Sequence, residues 1–180
     1  MDRRIALIGG GVRSGKSSFA VDLGKRLGAR RTFIATARPS DGEMAARIAR
    51  HQQDRAGAFT TIEAPSALAE AIESVEDADV VLVDCLTLWL SNRLVSGATV
   101  EGILTEVSRV VAALAARRFH AVLVTNEVGM SVHPETALGR AFVELSGFAH
   151  QRFAKVADEI YLAVLGTVIR LDPVRATLAR

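Results

Sequence analysis

Eight consecutive residues, Gly10-Gly11-Val12-Arg13-Ser14-Gly15-Lys16-Ser17, fit the spacing G-x-x-x-x-G-K-[ST]. Glycines let a backbone curl until successive N–H groups converge on one point, which suits phosphate oxygens. A lysine after the last glycine brings a positive charge to the outer phosphates, and the adjoining hydroxyl can ligate Mg²⁺. A helix opening at the same place adds the partial positive charge of its N-terminus. The ligand these features fit is a nucleoside triphosphate. Gly10, Gly11, Val12, Arg13, Ser14, Gly15, Lys16 and Ser17 are therefore the candidate phosphate-binding set, and Lys16 is also a candidate catalytic residue.

Asp84 closes the apolar run Val80-Val81-Leu82-Val83. A carboxylate at the end of a buried strand beside such a loop can hold Mg²⁺, so Asp84 joins Ser17 as a candidate metal ligand and Lys16 as a candidate catalytic group. Cys85, next to it, reads as a small buried residue. Asn126 and Glu127 follow the apolar run Ala121 to Val124, where ligands of open α/β sheets collect. On position alone, Glu127 is equally well a solvated loop acid. His51 has Arg47 and Arg55 one helical turn to either side. Two guanidinium groups disfavour protonation of an imidazole between them, and a neutral imidazole could attack an α-phosphorus to give a phosphoramidate. A half-buried surface histidine is the commoner outcome of such spacing. His120, His133 and His150 are scattered and suggest no metal site.

The elements that would position these groups alternate. Ile5 to Ile8, Thr32 to Thr36, Phe59 to Glu63, Val80 to Val83 and Ala121 to Val124 read as strands. Ser17 to Leu27, Glu43 to Arg55, Ser66 to Ser74, Leu86 to Leu94, Val100 to Arg117 and Pro134 to Ala157 read as helices, with Ser66 as a cap and Pro134 at a helix start. Ile160 to Val164 and Thr167 to Leu171 flank Leu165-Gly166 and predict a terminal hairpin. The pattern implies an α/β fold with a mainly parallel sheet, helices on both faces and an antiparallel C-terminal edge hairpin. No linker divides the chain, so residues 1–180 are expected to form one domain.

Composition excludes several classes. The 180 residues are 49% hydrophobic and 23% charged, an ordinary globular balance without a polar or low-complexity tract. A net charge of +2 is spread along the chain and aromatic residues make up only 5%, which argues against a nucleic-acid partner. The lone cysteine excludes an intramolecular disulfide. No stretch has the length of a membrane span or a signal-peptide core, and the expected compartment is the cytoplasm.

Taken together, the loop Gly10 to Ser17, Ile34-Ala35-Thr36, Glu43-Met44-Ala45-Ala46-Arg47-Ile48 with His51 and Arg55, Asp84-Cys85-Leu86-Thr87-Leu88-Trp89-Leu90-Ser91-Asn92 and Thr125-Asn126-Glu127-Val128-Gly129-Met130 resemble the bifunctional adenosylcobinamide kinase/adenosylcobinamide-phosphate guanylyltransferases. The resemblance covers nearly the whole chain. It implies a P-loop NTPase fold of RecA type and a homotrimer. It implies phosphorylation of the aminopropanol hydroxyl of adenosylcobinamide with ATP or GTP. Transfer of GMP from GTP onto that phosphate would follow, through a GMP-histidine that falls on His51. The nucleotide-contacting positions implied are Gly10 to Ser17, Thr36, Ala37, Arg38, Gln52, Gln53, Asp54, Arg55, Glu63 and Asp84. Ser131 and His133 depart from the small residues frequent in relatives, and Arg50 stands where some have a second histidine. A P-loop kinase of another small alcohol, without covalent histidine chemistry, is the alternative reading. A regulatory GTP switch would need a guanine-reading Asn/Thr-Lys-x-Asp motif, which the sequence lacks.

Overall fold

The computed structural model describes residues 3–38, 42, 57–116 and 118–171. The helix expected over Glu43 to Arg55, and with it His51, lies outside the described residues. The described elements alternate as the sequence predicts. They are β1 (Ile5–Gly10), α1 (Lys16–Leu27), β2 (Arg31–Ala35), β3 (Thr60–Glu63), α2 (Leu68–Glu73), β4 (Val80–Asp84), α3 (Leu86–Val95), α4 (Val100–Ala115), β5 (His120–Val124), α5 (Ala137–Ala154), β6 (Glu159–Val164) and β7 (Thr167–Leu171).

The seven strands form one sheet in the order β3-β2-β4-β5-β1-β6-β7. Every pairing is parallel except β6 with β7, which is the antiparallel edge hairpin. Side chains on a strand alternate between faces, and here each face has its own helical cover. Ala6, Ile8, Val80, Leu82, Val122 and Val124 pack beneath Ala20 and Leu23 of α1. Ile5, Leu7, Val81, Val83, Ala121 and Leu123 pack against α2 to α5, with Leu86, Trp89, Ile103, Val107, Leu145 and Phe153 buried in that larger core. Both faces being covered explains why the central strands read as unbroken apolar runs.

Three helix boundaries differ from the sequence reading, each for a local reason. Helix α5 begins at Ala137, after Pro134, because the Thr136 hydroxyl accepts from the Gly139 N–H at 3.1 Å and caps it. Ser66 is not the cap of α2. Its carbonyl accepts from the Trp89 indole at 2.8 Å and its hydroxyl takes an Arg38 guanidinium, so Ala67 holds the cap position. Helix α4 ends at Ala115, and Arg118 turns back to donate to the carbonyls of Ile72, Glu73 and Val75 at the end of α2, at 3.0–3.2 Å.

Candidate functional site

Strand register aligns one row of residues across the sheet near its carboxyl edge. Tyr161 pairs with Ile8, Ile8 with Val124, Val124 with Asp84, Asp84 with Ala35 and Ala35 with Glu63. Neighbouring strands lie about 4.8 Å apart, so Asp84 stands roughly 10 Å from the Ile8 strand and Glu63 roughly 19 Å from it. The residues just beyond this row form the rim where an open α/β sheet binds its ligands.

The loop from Gly10 to Lys16 rises from the end of β1. Arg13 and Gly15 take positive φ angles of 56° and 94°, which curl the backbone before α1 starts. The Ser14 N–H donates to the Gly11 carbonyl at 3.3 Å. Lys16 is 5% exposed, and its Nζ donates to the Gly11 carbonyl at 2.9 Å, so the ammonium lies folded into the loop. Among the described residues the buried Ser14 hydroxyl has no hydrogen-bond partner. A buried hydroxyl, a buried ammonium and the open end of a helix converge there, which is the environment an anion requires. Gly10 is a glycine by necessity: a Cβ on it would lie 2.4 Å from the Ala163 carbonyl oxygen and 2.7 Å from Ser14 Oγ.

Two strands away, Asp84 ends β4, and the Asp84–Cys85 peptide is cis. Thr36, fully buried, holds that peptide from the end of β2. Its hydroxyl donates to the Cys85 carbonyl and accepts from the Cys85 N–H, both at 2.7 Å. The Thr36 N–H donates to the Asp84 carbonyl at 3.1 Å, and its own carbonyl accepts from the Asn92 amide at 2.8 Å. Burial and the adjoining Asp84 charge push the Cys85 thiol pKa up, so it stays protonated, in line with a packed rather than reactive cysteine.

The end of β5 fills the space between these two features. The Glu127 N–H donates to the Gly10 carbonyl at 3.0 Å, which ties the turn after β5 to the first glycine of the loop. The Glu127 carboxylate accepts from the Gly129 N–H at 2.6 Å. The Asn126 backbone and amide both approach the Thr87 hydroxyl, at 3.2 and 3.3 Å, and Thr87 in turn contacts the Cys85 sulfur at 2.9 Å. Behind them Thr125 Oγ1 and His150 Nε2 lie 2.7 Å apart. Burial lowers the His150 pKa, and the nearby Glu127 charge opposes that shift.

The comparisons with known proteins fit this geometry. The family described as cobinamide kinase / cobinamide phosphate guanyltransferase matches residues 6–171. The chain belongs to this family. It is 39% identical to the bifunctional adenosylcobalamin biosynthesis protein CobP of Pseudomonas aeruginosa, over 89% of this chain and 92% of that one. It is 35% identical to the bifunctional adenosylcobalamin biosynthesis protein CobU of Escherichia coli, over 92% of this chain and 98% of that one. Among solved structures, the RadB recombinase superposes with a TM-score of 0.50 at 17% identity, covering 88% of this chain and 73% of that one, a likeness of fold. The fold is that of the P-loop NTPases.

Within the family framework, the sequence-predicted residues fall into two groups. The loop Gly10 to Ser17, Asp84, Asn126 and Glu127 gather around the ends of β1, β5 and β4. Ala37, the exposed Arg38 and the exposed Glu63 sit at the β2–β3 end of the sheet, away from the loop. Gln52, Gln53, Asp54 and Arg55 lie, like His51, outside the described residues. Sequence reasoning gave no role to Thr87, Asn92 or His150, which brace the rim from α3 and α5. Thr87 and Asn92 stand in the segment following Asp84, and polar residues in an otherwise apolar run directly behind a strand end are the signal that could have found them. Among the described residues no group of three or more His, Cys, Asp or Glu could hold a metal ion, and no helix is long and apolar enough to cross a membrane.

Proposed function

We propose that this chain is a bifunctional cobalamin-biosynthesis enzyme that phosphorylates adenosylcobinamide and then guanylylates the product. The observation that carries this reading is the family match across residues 6–171, which spans both the phosphate loop and the segment holding His51. In the first reaction the aminopropanol hydroxyl of adenosylcobinamide attacks the γ-phosphorus of ATP or GTP, and the nucleoside diphosphate leaves. Gly10 to Ser17 bind the phosphate chain, and Lys16 neutralises charge on the outer phosphates as the bond to the leaving oxygen breaks. Ser17 and Asp84 offer a hydroxyl and a carboxylate, hard oxygen donors that suit Mg²⁺ completed by water and phosphate. When bound, that ion supplies charge neutralisation at the β- and γ-phosphates.

In the second reaction His51 forms a bond to the α-phosphorus of GTP and pyrophosphate leaves. A phosphate oxygen of adenosylcobinamide phosphate then attacks the same phosphorus, the N–P bond breaks, and adenosylcobinamide-GDP departs with His51 regenerated. Ala37, Arg38, Gln52, Gln53, Asp54, Arg55 and Glu63 contact nucleotide in this reading. Thr36 contributes mainly by holding the Asp84–Cys85 peptide, since its own polar groups already have protein partners. The chain acts as one domain in a cytoplasmic homotrimer, without nucleic acid.

Incubation with α-labelled GTP tests the proposal. An acid-labile protein adduct is expected in the wild type and not in His51→Ala, while His51→Ala still phosphorylates adenosylcobinamide. Equal labelling of both proteins would remove His51 from the mechanism.

A further inference from the structure

The β6–β7 hairpin carries an anomaly beside the phosphate loop. Val164 pairs with Thr167, leaving a two-residue turn in which Leu165 and Gly166 have φ angles of 51° and 75°. Positive φ at both central positions is the type I′ turn, which favours Asn-Gly or Asp-Gly. A leucine in the left-handed region is disfavoured by its backbone, and this one is also 96% exposed. Neither local conformation nor packing accounts for an apolar side chain at the tip.

The position of the turn does account for it. A Cβ on Gly15 would lie 3.9 Å from the Gly166 Cα, and Gly10 abuts the Ala163 carbonyl of β6. The hairpin therefore overhangs the phosphate loop on one side of β1, while β5 and Asp84 lie on the other. In the proposed kinase reaction Asp84, two strands from the loop on that other flank, would serve the outer phosphates, so the outer end of the phosphate chain lies toward β4. The nucleoside, attached at the opposite end, then extends toward β6 and β7.

We propose that the hairpin turn Leu165-Gly166 is the base-side wall of the kinase-step nucleotide site, with the Leu165 side chain packed on the purine ring. The inference rests on the kinase half of the proposed function. It makes Leu165 a residue retained for ligand contact at the expense of turn stability, because asparagine would suit the same backbone better.

The test compares wild type, Leu165→Asn and Leu165→Met by calorimetric titration with ATP and with inorganic tripolyphosphate, which has no base. Leu165→Asn is expected to weaken ATP about five- to tenfold, the loss of one partly buried leucine contact. It should leave tripolyphosphate within about twofold and melt no lower than wild type. Leu165→Met should bind ATP nearly as wild type does. Unchanged ATP affinity in Leu165→Asn, equal weakening of both ligands, or equal wild-type affinity for the two would overturn the inference. A wild type that binds ATP in this Leu165-dependent way yet phosphorylates no corrinoid would refute the proposed function and leave the inference standing.

Discussion

Replacing Thr36 by valine removes a hydroxyl that makes two hydrogen bonds in a site with no solvent access. The two bonds are not equivalent. The Cys85 carbonyl keeps a second donor, the Trp89 N–H at 3.2 Å, so its loss is about 0.5–1 kcal/mol. The Cys85 N–H has the Thr36 hydroxyl as its acceptor, and leaving a buried donor without one costs about 1–3 kcal/mol. A methyl group cannot stay at hydrogen-bond distance from that peptide, so some displacement adds to the total. Thr36→Val should therefore lose about 2–4 kcal/mol, a large share of the roughly 5–15 kcal/mol that holds a typical domain folded. Thr36→Ser keeps both bonds and gives up one buried methyl, about 1 kcal/mol. Urea denaturation followed by circular dichroism measures both, with the difference read from the midpoint at constant slope. Thr36→Val losing no more stability than Thr36→Ser would refute the argument that the hydroxyl, rather than the packing, holds the Asp84–Cys85 peptide.

Two further outcomes follow from the same geometry. Gly10→Ala places a Cβ 2.4 Å from the Ala163 carbonyl, which forces β1 and β6 apart at about 1–3 kcal/mol and should also abolish ATP binding. Gly11→Ala meets nothing within 4 Å and should melt close to wild type, as thermal denaturation of the pair would reveal. His150 is held neutral, its pKa lowered from 6.5 by burial. The unfolded chain then binds a proton more readily, so the stabilisation is complete above about pH 6.5 and declines as pH falls through the folded value. His150→Gln can still meet Thr125 and does not titrate, so its stability curve should be flatter than wild type between about pH 7 and 5. A wild type with no slope across that range, in buffered urea melts, would sink the assignment.

Much of the architecture was legible because the two kinds of period are so distinct. Val80-Val81-Leu82-Val83 and Ala121-Val122-Leu123-Val124 are short apolar runs with polar ends, and only strands covered on both faces fit them. The phosphate loop was legible because its function depends on backbone shape, which glycine spacing encodes directly. Helix starts were less legible. Ser66 has a capping side chain, but the indole of Trp89 and the guanidinium of Arg38 compete for its polar atoms, and those partners are 23 and 28 residues away in sequence. Pro134 is compatible with a first helical position, yet Thr136 offers an acceptor to Gly139 and sets the boundary two residues on. The bracing of the rim was not legible at all. That Thr36 reaches Cys85, and His150 reaches Thr125, depends on strand order and on which helix lies behind which strand end.

Strand order also bears on how one loop could serve two reactions. The loop sits at β1, with the hairpin on one flank and Asp84, Ala35 and Glu63 in sequence on the other. In the proposed reading, phosphorylation needs the outer phosphates directed toward Asp84 and the nucleoside toward the hairpin. Guanylyl transfer needs the α-phosphorus within reach of His51, which follows β2 in the chain, and a guanosine near Glu63. Those requirements send the nucleoside in opposite directions from the same set of backbone amides. The rim from β1 to β3 spans roughly 19 Å, too far for one bound pose to meet both. In that reading a nucleotide seated for one reaction would exclude the other from the loop, and the two activities would alternate on a single phosphate site.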